Sequence, residues 1–420
     1  MEEDLREKLA QKMFAVLKNK KIASDVKLNK IKYIVKLGGE LDCVDEKGNP
    51  LFCVAIREKE NEIAKYLLEN GANFKAKDKK GDNALIVAVR ASNQEAVEML
   101  LGKISVEKTD DKGWTPLMIA SSKGDLEIVK CLVEKGYASV DSLGFTEELN
   151  SALFFATENE HHEVMKYLIE NEADVNLDNK EDETPLMKSV VKNDFEGVKI
   201  LVENGADVNA KDGVSSVLVK GVRSGNIEMV EYLIEKGARV NDKVWGDFTP
   251  LMYAYKEGDE WMIKMLEAKG ASLKETNSLD ENVLWFALES GNVKLIKKLK
   301  KNGFDLNGTF GNNDVTPLMR AVEIGEFDVA KFLVESGVSL NKKNKRGMTA
   351  LGVISTNGPK EHELIKMMLE KGALVSANTA FDVIEACEYS GGSVETIKLL
   401  KEYKEKEEKS FWYTLKNSGR

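Results

Sequence analysis

The chain has 420 residues, 42% of them hydrophobic and 31% charged, and a formal net charge of −10 at pH 7. This acidic balance argues against a protein whose main task is to grip nucleic-acid phosphates, because that binding depends on clustered positive charge. The four cysteines form no C-x-x-C pair, and the early apolar run Met13–Leu17 is too short for a signal-peptide core. No later run approaches the length of a membrane span. We therefore expect free thiols and a cytoplasmic location, with export as an effector into a host cell left open.

Residues 1–44 are predicted to form an N-terminal cap of two helices. Apolar residues recur there at helical spacing in two groups. The groups are Met13, Phe14, Val16 and Leu17, followed by Leu28, Ile31, Ile34 and Val35. Such a cap suits the end of a repetitive chain, where one face meets water.

Two ladders of leucine residues keep one period of about 33 residues from residue 45 onward. The first ladder is Leu51, Leu85, Leu117, Leu153, Leu186, Leu218, Leu251, Leu284, Leu318 and Leu351. The second ladder is Leu67, Leu100, Leu132, Leu168, Leu201, Leu233, Leu266, Leu299, Leu333 and Leu369. Two registers that stay in step over this length indicate an internal repeat.

One unit, residues 110–136, shows how a repeat is expected to fold. Thr115 is predicted to cap a helix, and Pro116 follows at the first helical position, where a missing N–H costs nothing. Gly124 ends that helix. A second amphipathic helix follows, and Gly136 is expected to end it in the left-handed backbone conformation. Two short helices cannot bury their apolar sides alone, so neighbouring repeats must stack.

The pattern resembles the ankyrin repeat. The shared features are the turn, the TPL-opened first helix, the glycine break, the second helix, and closing motifs such as NGADVN (204–209) and KGARVN (236–241). The resemblance implies an all-α solenoid of paired antiparallel helices joined by short β-hairpin-like turns. It covers ten repeats over 45–376 and a degenerate capping repeat over 377–403. A charged and aromatic tail over 404–420 is expected to fold back onto the last repeat, and the alternative is that it acts as a separate short recognition peptide.

Departures from this pattern lead to further expectations. The fourth repeat is stretched to 36 residues, which predicts an irregular loop over 141–150. Gly358 and Pro359 lengthen the break between the helices of the tenth repeat. TPLM stands at four sites where the family has TPLH, which predicts more apolar and looser linkages between repeats. TPLM occurs only in alternate repeats, either because the chain grew by duplication of pairs or because a binding groove alternates in chemistry.

The sequence shows no convergent set of catalytic residues, and we expect no enzymatic activity, no cofactor and no metal. It contains three histidines: His161, His162 and His362. The run EHHE at 160–163 would need further ligands from another repeat to hold a metal, and the alternative is a structural or solvated pair.

Partners of ankyrin proteins usually contact the turn tips and the exposed side of the first helix, and the resemblance carries these positions over to this chain. The candidate contact residues are Lys112, Trp114, Trp245, Phe248, Tyr255, Lys256 and Arg346. Exposed aromatic side chains tend to carry interface energy, with packing among the tips as the alternative role.

The sequence thus predicts a monomeric, non-catalytic scaffold for another protein, with no nucleic-acid or membrane partner. The alternative is a ligand-sensing protein that binds a nucleotide or other small molecule near repeats seven and eight. Trp245 and Trp285 would then stack on the ligand.

Overall fold

A computed structural model describes residues 2–145, 147–356 and 362–417, and the side chains of all of these except residues 2–3 and 415–417. These ranges are all-α and contain no β-strand ladder; isolated antiparallel bridges join Val44 to Pro50, Val244 to Phe248 and Phe310 to Val315. The helices are α1 Glu2–Lys18, α2 Ser24–Lys36, α3 Leu51–Arg57, α4 Asn61–Glu69, α5 Ala84–Arg90, α6 Gln94–Leu100, α7 Pro116–Lys123, α8 Leu126–Lys130, α9 Ala152–Glu158, α10 His162–Glu170, α11 Pro185–Lys192, α12 Phe195–Glu203, α13 Val217–Ser224, α14 Ile227–Glu235, α15 Pro250–Glu257, α16 Glu260–Ala268, α17 Val283–Glu289, α18 Val293–Lys301, α19 Pro317–Ile324, α20 Phe327–Glu335, α21 Ala350–Ile354, α22 His362–Glu370, α23 Val383–Tyr389 and α24 Val394–Asn417.

The chain divides into two compact units, residues 1–212 and 213–420. In the first unit, the first helices of successive repeats (α3, α5, α7, α9, α11) pack side by side, and the second helices (α4, α6, α8, α10, α12) form a parallel row. In the second unit, α13, α15, α17, α19, α21 and α23 form the row of first helices. Each unit is therefore a stack of helix pairs, as predicted for an ankyrin solenoid.

The two leucine ladders lie in the core of these stacks. Every leucine of both ladders is buried, and most have no exposed surface at all. Burying a leucine side chain stabilises the fold by about 1.5–3 kcal/mol relative to leaving it in water. The ladders are therefore the apolar seam that holds each repeat to its neighbours.

The four TPLM sites begin first helices, as predicted. Each threonine hydroxyl accepts a hydrogen bond of 3.2–3.3 Å from the backbone N–H of the methionine three residues later, and each proline is at the first helical position. The methionines are buried. The Sδ atoms of Met118 and Met252 lie 3.4 Å from the backbone nitrogens of their own threonines, Thr115 and Thr249, so they accept within the repeat.

The first repeat differs in register from its predicted alignment. The Asp45 N–H donates to Asn49 O, and the Asp78 N–H donates to Asp82 O. Asn49 therefore corresponds to Asp82. Pro50 is then the N-cap of α3, with φ −60° and ψ 143°, and offers no side-chain cap. The alignment of Leu51 with Leu85 was therefore wrong by one residue, and Phe52 takes the ladder position.

The second helix of the third repeat contains one extra residue. After α8 the backbone continues as a π-helical segment, Cys131–Lys135. The hydrogen bond that closes this helix runs from the Ala138 N–H to Leu132 O, six residues earlier. The equivalent bond in the first repeat runs from the Ala72 N–H to Leu67 O, five residues earlier. The prediction that Gly136 takes the left-handed conformation was wrong: its φ is −89°, and Tyr137 has φ 56°. The insertion moves the left-handed position one residue along.

The C-terminal end of the chain is an extended helix. Helix α24 runs 24 residues, from Val394 to Asn417, and crosses the predicted tail boundary at 404 without a break. The side chains of Phe411, Trp412 and Tyr413 are exposed, so the expected fold-back onto the last repeat is wrong for this part. Thr146, within the predicted irregular loop, and Gly358 and Pro359 lie outside the described residues.

Candidate partner-binding surface

The turn tip of repeat seven, residues 244–248, displays an exposed tryptophan on a fixed backbone. Val244 N–H donates to Phe248 O at 2.9 Å, and Asp247 N–H donates to Val244 O at 2.8 Å. Gly246 accepts from Ser278 N–H in the next tip at 2.9 Å. The Trp245 side chain is 75% exposed above this turn. The hydrogen-bonded turn therefore presents a large aromatic ring to solvent.

Phe248 supports the same tip from below. It is half-buried, and its ring centroid lies 5.5 Å from that of Tyr253 and 5.3 Å from that of Phe286. Gly246 has φ 74°, and a Cβ there would lie 3.2 Å from the Phe248 ring. Phe248 therefore packs locally, and its contact with a partner stays a prediction.

Tyr255 is not on the surface. It is fully buried, and its hydroxyl donates to Glu267 Oε1 at 3.0 Å. Burial and the adjacent Glu267 carboxylate raise the pKa of Tyr255. Comparison with the other repeats could have indicated that Tyr255 is buried. The residues at the same helix position are buried there too: Ser121, Thr157, Val190, Val222, Leu288 and Val322.

Charged side chains line the first helices beside this tip. Lys256 Nζ lies 3.6 Å from Glu289, and Arg320 also pairs with Glu289. The Arg320 guanidinium lies over the Trp285 ring, 4.6 Å from its centroid, and its Nη1 is 3.0 Å from Glu323. Lys256 is exposed, while Arg320 is held in place by three neighbours.

Three other predicted residues lie elsewhere. In the first unit, Trp114 is half-buried and its ring centroid is 4.1 Å from that of Phe155 in the next repeat, so it packs locally. Lys112 is exposed on the same tip, and its N–H donates to Asp110 at 2.9 Å. Arg346 is exposed on the tip of repeat ten. Tyr255 and Lys256 are both on α15, the helix that follows the Trp245 tip, and of these two only Lys256 is exposed.

Sequence reasoning missed an exposed aromatic residue that lies beside a cleft. Phe145, in the stretched loop of repeat four, is 83% exposed, and its backbone N–H donates to Gly113 O at 2.9 Å. It lines a cleft of about 820 Å³ with lysines of the first and second repeats. The irregular loop around it was the signal that could have directed attention to it.

The histidines make protein contacts. His161 Nε2 lies 3.1 Å from Ser122 O, and His162 Nε2 lies 2.9 Å from both carboxylate oxygens of Asp194. Among the residues that the structure describes, no three His, Cys, Asp or Glu side chains are grouped as metal ligands. In the same ranges, none of the helices combines the length and the apolar character needed to cross a membrane.

Comparison with known proteins identifies the repeat. The family model described as "Ankyrin repeats (3 copies)" matches residues 21–110, 102–179, 143–212, 215–277 and 269–344. A probable 26S proteasome regulatory subunit p28 of Saccharomyces cerevisiae is 38% identical over 80 residues, 19% of this chain and 35% of that protein. The chain thus spans about a third of the length of that relative.

Solved structures of ankyrin repeat domains are also similar to part of the chain. The ankyrin repeat domain of Bcl-3 is 23% identical, with a TM-score of 0.48 over 53% of this chain and all of that domain. The human ASB11 ankyrin repeat domain is 22% identical, with a TM-score of 0.46 over 53% of this chain and 98% of that one. Because the family model matches well over half of the residues, the chain belongs to the ankyrin repeat family.

Proposed function

We propose that this protein is a non-catalytic scaffold that binds a partner protein through the repeat-seven tip, with Trp245 as the anchor. The supporting observation is the exposure of Trp245 on a hydrogen-bonded turn. Tryptophan is enriched among residues that dominate binding energy, and a rigid anchor loses little entropy when it docks. Membership of a family of interaction modules favours the same function.

The charged side chains near the tip give the partner surface its polar rim. Lys256 is close enough to Glu289 for only a loose pair, so a partner carboxylate can replace it. Lys112 and Arg346, on other tips, are further candidate contacts. We expect the protein to act as a monomer in a reducing compartment such as the cytoplasm, as its four cysteines, none of them in a disulfide, favour.

The small-molecule alternative has less support at the predicted place. Trp285 is buried, the Arg320 guanidinium covers its ring face, and Phe310 packs against it at 5.3 Å. A nucleotide base would have to displace Arg320 before it could stack on Trp285. Trp245 is open to solvent, and one exposed ring provides no enclosed pocket.

The proposal is tested with two tryptophan variants. The immobilised chain captures proteins from a lysate of the source cells, and captures by wild type, Trp245→Ala and Trp261→Ala are compared by quantitative mass spectrometry. Trp261 is the matched control because it is 72% exposed on a second helix, α16. We expect a specific partner that is lost with Trp245→Ala and kept with Trp261→Ala.

The purified partner then allows affinity to be measured. A hot-spot tryptophan contributes about 2 kcal/mol or more, so Trp245→Ala should weaken binding roughly thirtyfold. Equal binding of wild type and Trp245→Ala would rule out this tip as the contact.

A further inference from the structure

A ladder of hydrogen bonds joins successive repeats on the loops that follow the second helices. In each rung, a side-chain oxygen of the N-terminal cap or of one repeat accepts from the backbone N–H of a residue in the next repeat, at 2.6–3.0 Å. The acceptor–donor pairs are Asp42–Asn73, Glu107–Ser139, Asp141–Asp174, Asn176–Asp207, Asn241–Ser272, Asn307–Ser339 and Asn341–Leu374. Each repeat thus has a donor residue, whose N–H bonds to the preceding repeat, and an acceptor position two residues later, which faces the following repeat.

One rung of this ladder is missing in the first unit. The pattern places an acceptor at residue 75, two residues after Asn73, and a donor at Ser105. Residue 75 is a lysine, whose ammonium group has three donors and no acceptor. Within the described ranges, no protein atom accepts a hydrogen bond from the Ser105 N–H, and Ser105 is exposed. The backbone there presents a donor that its neighbours use for carboxylate or amide oxygens.

The vacant rung opens into the cleft of about 820 Å³ beside Phe145. Lys75, Lys103 and Lys108 line this cleft together with Ser105. Lys77 also lines it and is paired with Asp111 at 3.2 Å, whereas the other three ammonium groups form no ion pair with any residue described. Uncompensated lysines around an unused N–H favour an anionic oxygen at this point.

The acidic side chains of the cleft are already engaged. Glu107 Oε1 accepts from Ser139 N–H at 3.0 Å as a rung of the ladder. Asp110 is buried, pairs with Arg90, and accepts from its own tip backbone at Lys112 and Trp114, both at 2.9 Å. The positive charge of the lysines therefore remains for a ligand, although the whole chain is acidic.

We propose that this cleft binds an acidic segment of a partner protein, and that one carboxylate of the segment accepts from the Ser105 N–H and completes the rung. Lys75, Lys103 and Lys108 neutralise the segment, and the exposed Phe145 ring packs against one of its apolar side chains. The proposal rests on the function as a protein-binding scaffold but concerns a second site in the other unit. Glu107 and Asp110 at the cleft disfavour a continuous polyanion such as a nucleic acid.

The second unit contains a matched comparison. Lys274 occupies the acceptor position of its repeat, so the rung to Asp305 is also missing. Here, however, the donor residue carries its own carboxylate, which accepts from Asn307 N–H at 2.8 Å. The Asp305 carboxylate weakens the attraction of this N–H for an incoming carboxylate, whereas the lysines around Ser105 strengthen it. A missing rung alone therefore does not make a site.

The test uses the full chain and a fluorescein-labelled peptide of ten glutamates with one central tryptophan. Binding is followed by fluorescence anisotropy, and exchange of the Ser105 amide is followed by hydrogen–deuterium exchange. Wild type should bind saturably, and the peptide should slow exchange at Ser105. Lys75→Asn should protect the same amide without peptide and weaken peptide binding at least tenfold, since asparagine supplies the missing acceptor.

Lys274→Asn is the control because it makes the same change at the equivalent position, and its peptide affinity should stay within twofold of wild type. The proposal is overturned if wild type shows no saturable binding, if Lys75→Asn binds as wild type does, or if both variants weaken binding equally. None of these outcomes bears on the Trp245 partner, because the peptide assay does not involve it.

Discussion

Tyr137→Gly should stabilise the third repeat by about 1 kcal/mol. A left-handed backbone costs a non-glycine residue roughly 1–2 kcal/mol, which glycine avoids. The greater freedom of glycine in the unfolded chain offsets about 0.5–1 kcal/mol of this stabilisation. Tyr137 has φ 56° and is 85% exposed, so its removal relieves strain and loses little packing. Repeats open locally, so the measurement is hydrogen–deuterium exchange of residues 126–138, which should slow about fivefold.

Two further variants test whether the π-helical insertion is what moves the left-handed position from Gly136 to Tyr137. Glu172→Gly should give a similar gain, because Glu172 has φ 69° at the same position of the next repeat, without an insertion. Gly136→Ala should destabilise, since its Cβ would lie 2.5 Å from the carbonyl oxygen of Leu132. If Tyr137→Gly instead speeds exchange, the left-handed residue is not Tyr137 and the shifted cap is wrong.

Two predictions concern buried titratable groups. Tyr255→Phe should cost unit 213–420 about 1 kcal/mol of unfolding free energy at pH 8 through the lost bond to Glu267. Because the pKa of Tyr255 is raised in the folded state, this contribution is present below the unfolded tyrosine pKa of about 10 and is lost as the pH rises further. Urea unfolding at pH 11 should therefore show a smaller difference in unfolding free energy between wild type and Tyr255→Phe than at pH 8. An equal difference at both pH values would contradict the raised pKa. Burial raises the pKa of Cys53 to about 12, so at pH 8 only about one thiol in ten thousand is ionised. Cys53 should react with a disulfide reagent only as fast as its repeat opens, and rapid labelling of the native protein would contradict its burial.

Local chemistry explains why much of the fold was predictable. Thr115 and its equivalents cap helices through atoms three residues away, so a tetrapeptide contains the whole signal. The leucine ladders are equally direct, because every repeat must bury the same two positions against its neighbours. Each of these features is repeated along the chain, and repetition separates a structural requirement from coincidence.

The features that sequence analysis missed depend on single residues or on packing. Pro50 has the appearance of a helix-opening proline, and only the bond between Asp45 and Asn49 places it one step earlier. The insertion near Tyr137 leaves a glycine in a plausible cap position, so the sequence alone points to the wrong residue. Tyr255 was assigned to the surface because the resemblance placed it on the exposed side of the first helix, but its bond to Glu267 stabilises it inside the repeat.

The hydrogen-bond ladder shows how repeats serve as controls for one another. Seven rungs in the described residues use Asp, Asn or Glu as the acceptor, which defines what folding alone requires at that position. Lysine at 75 gives up a bond of this kind, and the loss is not repaired from within the described protein. At Lys274 the same loss stands beside the Asp305 carboxylate, whereas at Lys75 it stands beside Lys103 and Lys108. The two positions share a folding defect and differ in electrostatics, so a difference in their ligand binding would have to come from the charge around the open N–H.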